Sequence, residues 1–404
     1  MLVPVSSMTI RGIDQLDVAG KTVLLRSDLN VPLDGTTITD DGRIRASVPT
    51  IESLTKRGAK VVILAHLGRP KGEPEAKYSL APAAVRLGEL LGQPVHLCST
   101  TTGPEASALV ASLHDGDVAM LENVRFDARE TSKVATERSD LAGEWAALGD
   151  LYVSDGFGVV HREQASVTDL AKLLPHAAGY LVEKEATVFS ALVKDPARPY
   201  VVILGGSKVS DKLGVVENLL KCVDRLLVGG GMAYTFLAAQ GFSVGNSLLE
   251  TEMIDTVRNL VAQATANGVD VVVPVDIVIA DAFAPDANTQ IVSADSIPDG
   301  WQGLDIGPRT RELFAEKISD AKTVVWNGPV GVFEMDAFSA GTRAVAEAMT
   351  QIDAMTVIGG GDSAAAVRLL GIDEAGFTHI STGGGASLEF LEGKTLPGLA
   401  VLED

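Results

Sequence analysis

The stretch VVILGGSKVSDK, residues 201–212, decides the fold because it joins an apolar run to glycines and then to two lysines. Four apolar residues without polar alternation are typical of a strand covered on both faces, as in a parallel sheet. Gly205 and Gly206 let the backbone approach a ligand closely. Lys208 and Lys212 are four positions apart, so both can lie on one face of a following helix. Lysines on a helix face are often simply exposed to solvent, but the adjacent glycines favour a bound anion here. The stretch predicts a strand, an anion-binding loop and a helix.

The same unit recurs along the whole chain. Apolar runs that end in glycine or polar loops are found in KTVLLRSDLNVP, AKVVILAHLGRP, DVAMLENVRF, LYVSDGFGVVHR, RLLVGGGMAYTF, VDVVVPVDIVIA, KTVVWNGPVGVF, MTVIGGGDSAAA and HISTGGGASLEF. Helical patterns such as SVPTIESLTKRG, TERSDLAGEWAALG and AFSAGTRAVAEAM lie between them. This alternation predicts an α/β fold built from doubly wound parallel sheets.

The loops after the strands form two chemically different sets. Before about residue 180 they carry Arg26, Asp28, Asn30, His66, Arg69, Asn123, Arg125, His161 and Arg162. After about residue 200 they carry glycine pairs and triplets with Lys208, Lys212, Asn327 and Asp362. A chain of 404 residues exceeds what one core usually organises. Because ligands bind at the carboxyl ends of parallel strands, two loop sets predict two lobes with different ligands, connected by the amphipathic stretch GYLVEKEATVFSALVKDPARP.

Composition excludes several classes of function. The formal net charge of −20 argues against a nucleic-acid partner or an anionic membrane surface. No apolar stretch reaches the length that spans a bilayer, and no secretory signal pattern opens the chain. The two cysteines, Cys98 and Cys222, lie far apart, as expected in a reducing compartment. We therefore expect a cytoplasmic protein, with Met8 as an alternative initiator to Met1.

The later loops suit a nucleotide's phosphates. A lone glycine triplet usually marks a tight turn, but three triplets and a pair directly after buried strands favour phosphate binding by backbone N–H groups. Asp362, between GGG and SAAA, either caps a helix or binds Mg²⁺. The match of GGGDSA to G-x-G-x-x-A leaves an NAD-dependent dehydrogenase as an alternative, although the acidic residue expected about twenty positions later does not follow a second strand.

The earlier loops suit a small polyanion. A single arginine commonly lies on the surface, but several arginines near strand ends would offer planar guanidinium groups to carboxylate and phosphate. The arginines in or next to these loops are Arg26, Arg43, Arg69, Arg125 and Arg162. His66 and His161 lack a second ligand at metal-binding spacing, so a positive charge or a hydrogen bond is their expected contribution. No nucleophile with an attendant base is evident, as expected where both reacting groups are already anionic.

Eleven motifs in order along the chain resemble the phosphoglycerate kinase family. They are RSDLNVP, RIRASVPTI, AHLGRPKG, LENVRF, HREQAS, GGSKVSDK, GGGMAYTF, LDIGP, WNGPVGVFE, GGGDS and STGGGASLEFLEGK. The resemblance implies reversible phosphoryl transfer between 1,3-bisphosphoglycerate and MgADP in glycolysis, by a monomer whose two lobes close over the reactants. It implies a substrate lobe at residues 1–182, a connecting hinge helix at 183–194, a nucleotide lobe at 195–389, and a tail at 390–404 that returns to the first lobe.

The resemblance also implies roles for individual residues. It places Asp28 and Asn30 on the glycerate part of the substrate. It assigns the distant phosphate to His66, Leu67, Gly68, Arg69, Arg125 and Arg162. Arg43, Lys208, Gly360 and Gly383 would act at the phosphoryl group in transfer. The implied nucleotide-binding residues are Lys212, Gly303 near adenine, Asn327, Glu334 on the ribose, Gly360, Gly361, Asp362 on Mg²⁺, and Ser363; the triplet 383–385 would also contact phosphate.

Four positions depart from the family's usual pattern. Gln164 stands where many members have histidine, which lowers the positive charge on the substrate side. Gly156 and Ser207 replace alanines, and Ser363 replaces a threonine. None of these changes removes a group that the mechanism requires, so we expect an active kinase. The principal alternative is a catalytically silent nucleotide-binding module that kept the fold, and the NAD-dependent dehydrogenase is the second.

Overall fold

The structure, a computed structural model, describes residues 10–403, so Met1 and Met8 lie outside the described residues. It divides into two units: residues 10–187 with 395–403 form unit 1, and Val188–Lys394 form unit 2. Each unit contains a six-stranded sheet whose pairings are all parallel. The predicted α/β class with two parallel-sheet lobes is confirmed.

Unit 1 is built on one parallel sheet and a small hairpin. Its strands are β1 (Thr22–Arg26), β2 (Leu33–Asp34), β3 (Thr37–Ile38), β4 (Lys60–Leu64), β5 (Val95–Leu97), β6 (Val118–Met120), β7 (Leu151–Ser154) and β8 (His176–Ala178). The sheet order is β5-β6-β4-β1-β7-β8, and β2 pairs with β3 antiparallel. The chain proceeds from β1 towards β4 and later returns to the other side of β1 at β7. The carboxyl ends of β1 and β7 therefore flank a topological switch point, where ligands bind in open α/β sheets.

The helices of unit 1 begin and end where local sequence favours it. They are α1 (Gly42–Lys56), α2 (Ala81–Leu91), α3 (Pro104–Ala111) and α4 (Ala135–Ala146). The next helix, α5 (Tyr180–Lys194), begins in unit 1 and ends in unit 2. Proline lies in the first turn of α2 and α3, where its missing N–H costs nothing, and Gly92 ends α2 in a left-handed conformation. Helix α1 begins earlier than the pattern SVPTIESLTKRG suggests, so Arg43 lies in a first helical turn and not in a loop.

Unit 2 combines a parallel sheet with a three-stranded antiparallel sheet. Its strands are β9 (Tyr200–Leu204), β10 (Arg225–Val228), β11 (Asp270–Val272), β12 (Asp276–Ala280), β13 (Thr289–Ser293), β14 (Gln302–Ile306), β15 (Thr323–Asn327), β16 (Met355–Gly359) and β17 (His379–Ile380). The parallel order is β11-β10-β9-β15-β16-β17, and the antiparallel order is β13-β12-β14.

The run VDVVVPVDIVIA forms two strands in two sheets, β11 and β12, and not one. Pro274 separates them because it has no N–H to donate to a continuing ladder. Asp276, the first residue of β12, accepts hydrogen bonds from the N–H groups of Arg309 and Thr310 and so fixes the start of the next helix.

The remaining helices complete unit 2 and return the chain to unit 1. They are α6 (Leu213–Leu219), α7 (Met232–Ala239), α8 (Ile254–Ala266), α9 (Pro308–Ile318), α10 (Ala340–Thr350), α11 (Gly361–Leu369), α12 (Gly385–Leu391) and α13 (Pro397–Ala400). Helix α13 belongs to unit 1, where the Gly398 N–H donates to the Val160 carbonyl (2.7 Å) and Ile10 bridges to Glu403.

Separate hydrophobic cores support the two parallel sheets. Leu25 and Ile63 on the first sheet pack with Ile51 and Leu54 of α1. In unit 2 the core contains strand residues such as Ile203 and Trp326 together with Phe314 of α9 and Val345 of α10. Within residues 10–403, no helix combines the length and apolar character needed to cross a bilayer.

Candidate functional site

The first candidate site lies at the carboxyl ends of four adjacent strands of unit 1. The loops after β1, β4, β6 and β7 carry the predicted substrate residues, which are Asp28, Asn30, His66, Leu67, Gly68, Arg69, Arg125 and Arg162. Because these strands are parallel neighbours, their carboxyl ends meet at one edge of the sheet. Arg43 joins the group from the first turn of α1.

Asp28 and Arg43 form an ion pair at this edge. Arg43 Nη1 donates to Asp28 Oδ2 (2.9 Å) and Oδ1 (3.0 Å). The Asp28 side chain is 3% exposed and that of Arg43 is 32% exposed. The pair thus joins a buried carboxylate to a guanidinium that solvent reaches, and it fixes the orientation of Arg43.

The loop from His66 to Arg69 is held from both sides. Asn30 Oδ1 accepts from the Gly68 N–H (2.8 Å), and Arg125 Nη1 donates to the Gly68 carbonyl (2.8 Å). The amide of Asn123 donates to the Leu67 carbonyl (2.8 Å). The backbone of Arg125 is fixed as well, since its N–H donates to Asn123 Oδ1 (3.0 Å). These contacts set the positions of the loop that carries His66.

Mutual repulsion shows that the cations are close together. Burial first, and then the charges of Arg26, Arg162 and Arg69, together lower the pKa of Arg125 to about 10. Burial, and then the nearby arginines, hold the pKa of His66 well below its usual value. His66 is therefore neutral near pH 7 and supplies a hydrogen bond, not the positive charge that was its other expected contribution. An anion would relieve the repulsion among the arginines.

The loop after β7 contributes groups of differing exposure. Arg162 is exposed and its Nε donates to His161 Nε2 (3.1 Å). Burial and the Arg162 charge lower the pKa of His161 to about 4, so it too is neutral. Gln164 is buried, and its Oε1 has no hydrogen-bond partner among the described residues. The glutamine thus occupies an interior position, where it adds no charge.

The second candidate site is a cleft at the carboxyl ends of β9, β15 and β16. It has a volume of about 260 Å³ and is lined by Gly206, Ser207, Lys208, Asp211, Lys212, Asn327, Gly328, Pro329, Gly360, Gly361, Asp362, Ser363, Gly384 and Leu388. Gly360 has a φ of +94°, which glycine alone adopts readily, and it is the N-cap of α11. The cleft thus combines two lysines with the N-terminus of a helix, an arrangement that suits phosphate.

The two lysines of the cleft are not equivalent, and they do not share a helix face. Lys208 is exposed in the loop, whereas Lys212 ends a short 3₁₀ helix, Ser210–Lys212, before α6. Lys212 Nζ donates to the carbonyls of Gly205 (2.6 Å) and Asn327 (2.9 Å). Burial lowers the pKa of Lys212 to about 8, although Asp362 and Asp211 oppose the shift.

A larger, mainly apolar pocket continues the cleft and shares Gly206, Ser207, Pro329 and Asp362 with it. Its volume is about 530 Å³ and its lining includes Tyr234, Leu248, Phe283, Gly303 and Glu334. Gly303 is buried, and a Cβ there would overlap the hydroxyl of Tyr234. The mainly apolar lining suits a heterocycle, with the exposed Glu334 available to a hydroxyl group.

Two predicted phosphate contacts already have partners inside unit 2. The Gly383 N–H donates to Ser381 Oγ (3.0 Å), and within its triplet it is Gly384 that lines the cleft. Ser363 Oγ accepts from the Gly328 N–H (2.7 Å), which ties α11 to the loop after β15. Asn327 Nδ2, by contrast, is buried without a partner among the described residues, beside Gly360.

Glu250 is a site residue that the sequence did not reveal. Its Oε2 accepts from the N–H groups of Val209 (2.6 Å) and Ser210 (3.2 Å), and its Oε1 accepts from the Ser210 hydroxyl. It therefore anchors the loop that carries Lys208. No motif surrounds Glu250, and the contact joins residues forty positions apart, so only the fold brings them together.

The acidic residues of the cleft suit a metal carried by a nucleotide and not an all-protein metal centre. Among residues 10–403, no group of three or more His, Cys, Asp or Glu side chains could hold a metal ion. Asp362 is exposed in the first turn of α11, so the capping role weighed from sequence falls instead to Gly360. The cleft lining includes the carboxylates of Asp211 and Asp362. So few carboxylates would suit Mg²⁺ that arrives with a nucleotide, since Mg²⁺ takes one or two carboxylates and completes its shell with phosphates and water.

The close approach of the loops after β9 and β15 depends on Gly205. A Cβ at Gly205 would overlap the carbonyl oxygen of Pro329 and lie 2.6 Å from that of Gly328. We expect Gly205→Ala to lower the free energy of unfolding by about 1–3 kcal/mol, because the two loops must separate. Denaturant unfolding followed by circular dichroism measures the change.

Gly361→Ala is the matched control for this prediction. A Cβ at Gly361 meets no atom within 4 Å, and its φ is not in the left-handed region, so its unfolding midpoint should stay near that of the wild type. Equal midpoints for Gly205→Ala and the wild type would contradict the packing argument.

Known proteins of one family resemble this chain over nearly its whole length. The model of the family described as phosphoglycerate kinase matches residues 13–394. The phosphoglycerate kinase of Frankia casuarinae is 62% identical over 402 residues, covering 98% of this chain and 100% of that protein. That of Streptomyces griseus is 59% identical over 404 residues, with the same coverage of each chain.

Solved structures show the same similarity. The phosphoglycerate kinase of Coxiella burnetii superposes with a TM-score of 0.86 at 39% identity, covering 97% of this chain and 98% of that chain. The enzyme of Pyrococcus horikoshii superposes with a TM-score of 0.87 at 34% identity and the same coverage.

Proposed function

Because this chain belongs to the phosphoglycerate kinase family, it catalyses reversible phosphoryl transfer between 1,3-bisphosphoglycerate and ADP, and we propose that unit 1 binds the phosphoglycerate and unit 2 the nucleotide. The observation that carries this division is the difference between the two strand-end sites. One gathers guanidinium groups, and the other joins a lysine-lined cleft to an apolar pocket. The family assignment excludes the dehydrogenase that GGGDSA left open.

The chemistry requires positioning and charge, and no general base. The attacking group is an ADP phosphate oxygen in one direction and a carboxylate in the other, and both are ionised near pH 7. Negative charge develops on the transferring phosphoryl group and its neighbours. Fixed cations and N–H groups stabilise that charge without reorganising at the moment of reaction.

We assign the substrate contacts in unit 1 as follows. Asp28 and Asn30 bind the glycerate part. The distant phosphate is bound by His66, Leu67, Gly68, Arg69, Arg125 and Arg162. Arg69 and Arg162 are exposed and able to move onto the ligand, whereas Arg125 is held by Gly68. His66, being neutral, donates a hydrogen bond to the substrate.

The nucleotide contacts belong to the cleft and pocket of unit 2. Adenine lies in the apolar pocket against Gly303, with Glu334 on the ribose. The phosphates extend into the cleft, where they meet Lys212, Asn327, Gly360, Gly361 and Ser363. The unpartnered amide of Asn327 supports this assignment, because a buried donor without a partner is costly unless a ligand completes it.

Arg43 and Lys208 act at the phosphoryl group in transfer, together with backbone groups of Gly360 and the triplet that begins at Gly383. Lys208 is exposed at the rim of the cleft, free of the carbonyl contacts that occupy Lys212. A mobile ammonium can follow the phosphoryl group from donor to acceptor, which a buried one cannot.

Mg²⁺ accompanies the nucleotide, with Asp362 as the protein ligand. Bound there, the ion would neutralise phosphate charge and orient the nucleotide. Asp362 supplies the carboxylate from the first turn of α11, and the coulombic effect of Asp362 on Lys212 indicates that the two side chains are close. The protein thus contributes one anionic ligand and leaves the remaining positions to phosphates and water.

Domain closure, location and assembly complete the proposal. Acyl phosphates hydrolyse readily, so we propose that the substrate lobe and the nucleotide lobe close around their ligands to exclude water, with α5 as the connecting helix. We propose a cytoplasmic monomer, as the family resemblance implies. A Stokes radius that falls when both ligands are added would support closure.

The pH dependence of ligand binding tests the division between units. Lys212 has a pKa of about 8, so it is largely cationic at pH 7 and largely neutral at pH 9. Phosphate binding requires the cation, so the Kd for ADP should rise with pH above about 8, by up to about tenfold per pH unit. The Kd for 3-phosphoglycerate should change by less than about twofold over the same range, because Arg125, with a pKa of about 10, stays mostly charged and His66 remains neutral. Isothermal titration calorimetry with each ligand alone, from pH 7 to 9.5, measures both Kd values.

Lys212→Arg is the control, because a guanidinium stays charged throughout this range. This variant should bind ADP more weakly than the wild type at pH 7, but its Kd for ADP should not change with pH. A flat wild-type profile for ADP, or a slope for 3-phosphoglycerate equal to that for ADP, would contradict the proposed division.

A further inference from the structure

A chain of buried hydrogen bonds underlies the cationic site of unit 1. It joins Glu130, Ser166, Arg26 and His66, which come from four separate parts of the sequence. Arg26 and Glu130 are both 0% exposed. Neither can therefore touch a ligand that enters from solvent, so any effect on binding must pass through other residues.

The direction of each hydrogen bond follows from the chemistry of arginine, whose nitrogens only donate. Arg26 Nε donates to Ser166 Oγ (2.7 Å), which leaves the Ser166 hydroxyl proton for Glu130 Oε1 (2.6 Å). The Ser166 N–H donates to Glu130 Oε2 (2.9 Å). Both carboxylate oxygens accept, an arrangement that fits the ionised form of Glu130.

The same argument fixes the other end of the chain. Arg26 Nη2 lies 3.2 Å from His66 Nδ1, so the arginine donates and Nδ1 accepts. Because His66 is neutral near pH 7, its single ring proton must then reside on Nε2. His66 is left with one hydrogen-bond donor, at the ring nitrogen remote from Arg26.

Glu130 also balances charge that burial would otherwise make costly. Arg26 has no solvent around it, and an uncompensated buried guanidinium is strongly unfavourable. Burial raises the pKa of Glu130 to about 7, while Arg26 and the bonds from Ser166 oppose that rise. When Glu130 is ionised, its carboxylate thus compensates the buried charge of Arg26, which donates to His66.

We propose that Glu130 is a positioning residue of the substrate site, which acts through Ser166 and Arg26 to hold His66 as an Nε2–H donor for the anionic substrate. The proposal rests on the assignment of phosphoglycerate to unit 1. If the tautomer of His66 did not depend on this network, the network would have a structural role alone.

Two variants and two readouts test the role. Glu130→Gln removes the charge, and Ser166→Ala removes the hydroxyl link without removing a buried charge, so it carries the test if the first variant does not fold. Long-range ¹H–¹⁵N spectra of the ligand-free protein report which nitrogen of His66 is protonated. Steady-state kinetics give KM for 3-phosphoglycerate and for ATP.

The expected wild-type spectrum shows His66 with Nδ1 unprotonated and Nε2 protonated. In both variants the His66 nitrogen shifts should move towards a mixture of tautomers. KM for 3-phosphoglycerate should rise about tenfold, the effect of weakening one charge-assisted hydrogen bond, with KM for ATP within about twofold of wild type.

Asp169→Asn is the matched control. Asp169 is a buried carboxylate on the same π-helix as Ser166, Ala165–Asp169, but it pairs with Arg138 (2.9 Å). The control should lose stability while keeping the His66 shifts and both KM values.

Three results would overturn the proposal: a proton on His66 Nδ1 in the wild type, an unchanged KM for 3-phosphoglycerate in both variants, or equal changes in the Asp169→Asn control. Altered His66 shifts with a rise in KM for ATP instead would refute the assignment of phosphoglycerate to unit 1, and the positioning role with it.

Discussion

Arg43→Ala is expected to lower kcat by about 10³-fold while leaving the Kd for ADP within about twofold of wild type. Arginines that stabilise a transferring phosphoryl group contribute about 10³–10⁵ in rate in nucleotide-hydrolysing enzymes. The charge that Arg43 meets is fully developed only in the transition state, so its loss reduces kcat more than ground-state binding.

The geometry of Arg43 supports a large effect. Its position in the first turn of α1 and its ion pair with Asp28 orient the guanidinium before substrate arrives. Alanine removes the cation and leaves the buried carboxylate of Asp28 without its partner, so some rise in KM for 3-phosphoglycerate should accompany the fall in kcat. Arg43→Lys keeps a charge but loses the planar fork, and it should recover only part of the rate.

Arg45→Ala is the control for the loss of an arginine from this helix. Arg45 is two positions along α1, has a side chain 58% exposed, and pairs with Asp41. Its kcat should match wild type, measured by a coupled assay with 3-phosphoglycerate, ATP and Mg²⁺. Equal losses of kcat and of ADP affinity in Arg43→Ala would mean that Arg43 acts elsewhere.

Asp362→Asn is expected to lower kcat/KM for ATP by about 10²-fold and to raise the Mg²⁺ concentration needed for half-maximal rate. The amide keeps the shape of the side chain but is a poor ligand for Mg²⁺, which prefers ionised oxygen. The variant also removes the negative charge that favours protonated Lys212, so the pKa of Lys212 should fall further. Rates measured across a Mg²⁺ titration give both quantities.

Asp373→Asn controls for the loss of one negative charge in unit 2. Asp373 is exposed and accepts from the Ala375 N–H in the loop after α11, away from the cleft lining. Its Mg²⁺ dependence should match wild type. If Asp362→Asn retained the wild-type Mg²⁺ dependence, the metal would have to be bound without this carboxylate.

Residues that follow a buried parallel strand were predictable from sequence. The apolar runs ending at Arg26, Leu64, Leu204 and Asn327 are strands, and neighbouring parallel strands necessarily present their following loops at one edge. The approximate grouping of the cations and of the glycines follows from that rule alone. Their individual roles rested on the family resemblance.

The remaining features depend on contacts between distant parts of the chain. Strands β13 and β14 have mixed polar and apolar residues, and only pairing with β12 defines them. The lowered pKa of Lys212 arises from burial, and its Nζ contacts carbonyls of two different loops, which no local pattern indicates. Glu130 and Glu250 carry no local motif, because each acts on a loop far away in the sequence.

The division of unit 1 between two parts of the chain affects how it folds during translation. Helix α13 and the bridge between Ile10 and Glu403 belong to unit 1, yet the ribosome produces residues 395–403 only after all of Val188–Lys394. The nascent chain must therefore carry an unfinished unit 1, with the contacts of buried Leu396, Leu399 and Leu402 still unmade, throughout translation of unit 2. Unit 2 is encoded without interruption and can fold during translation, whereas unit 1 reaches its final stability only after residues 395–403 emerge.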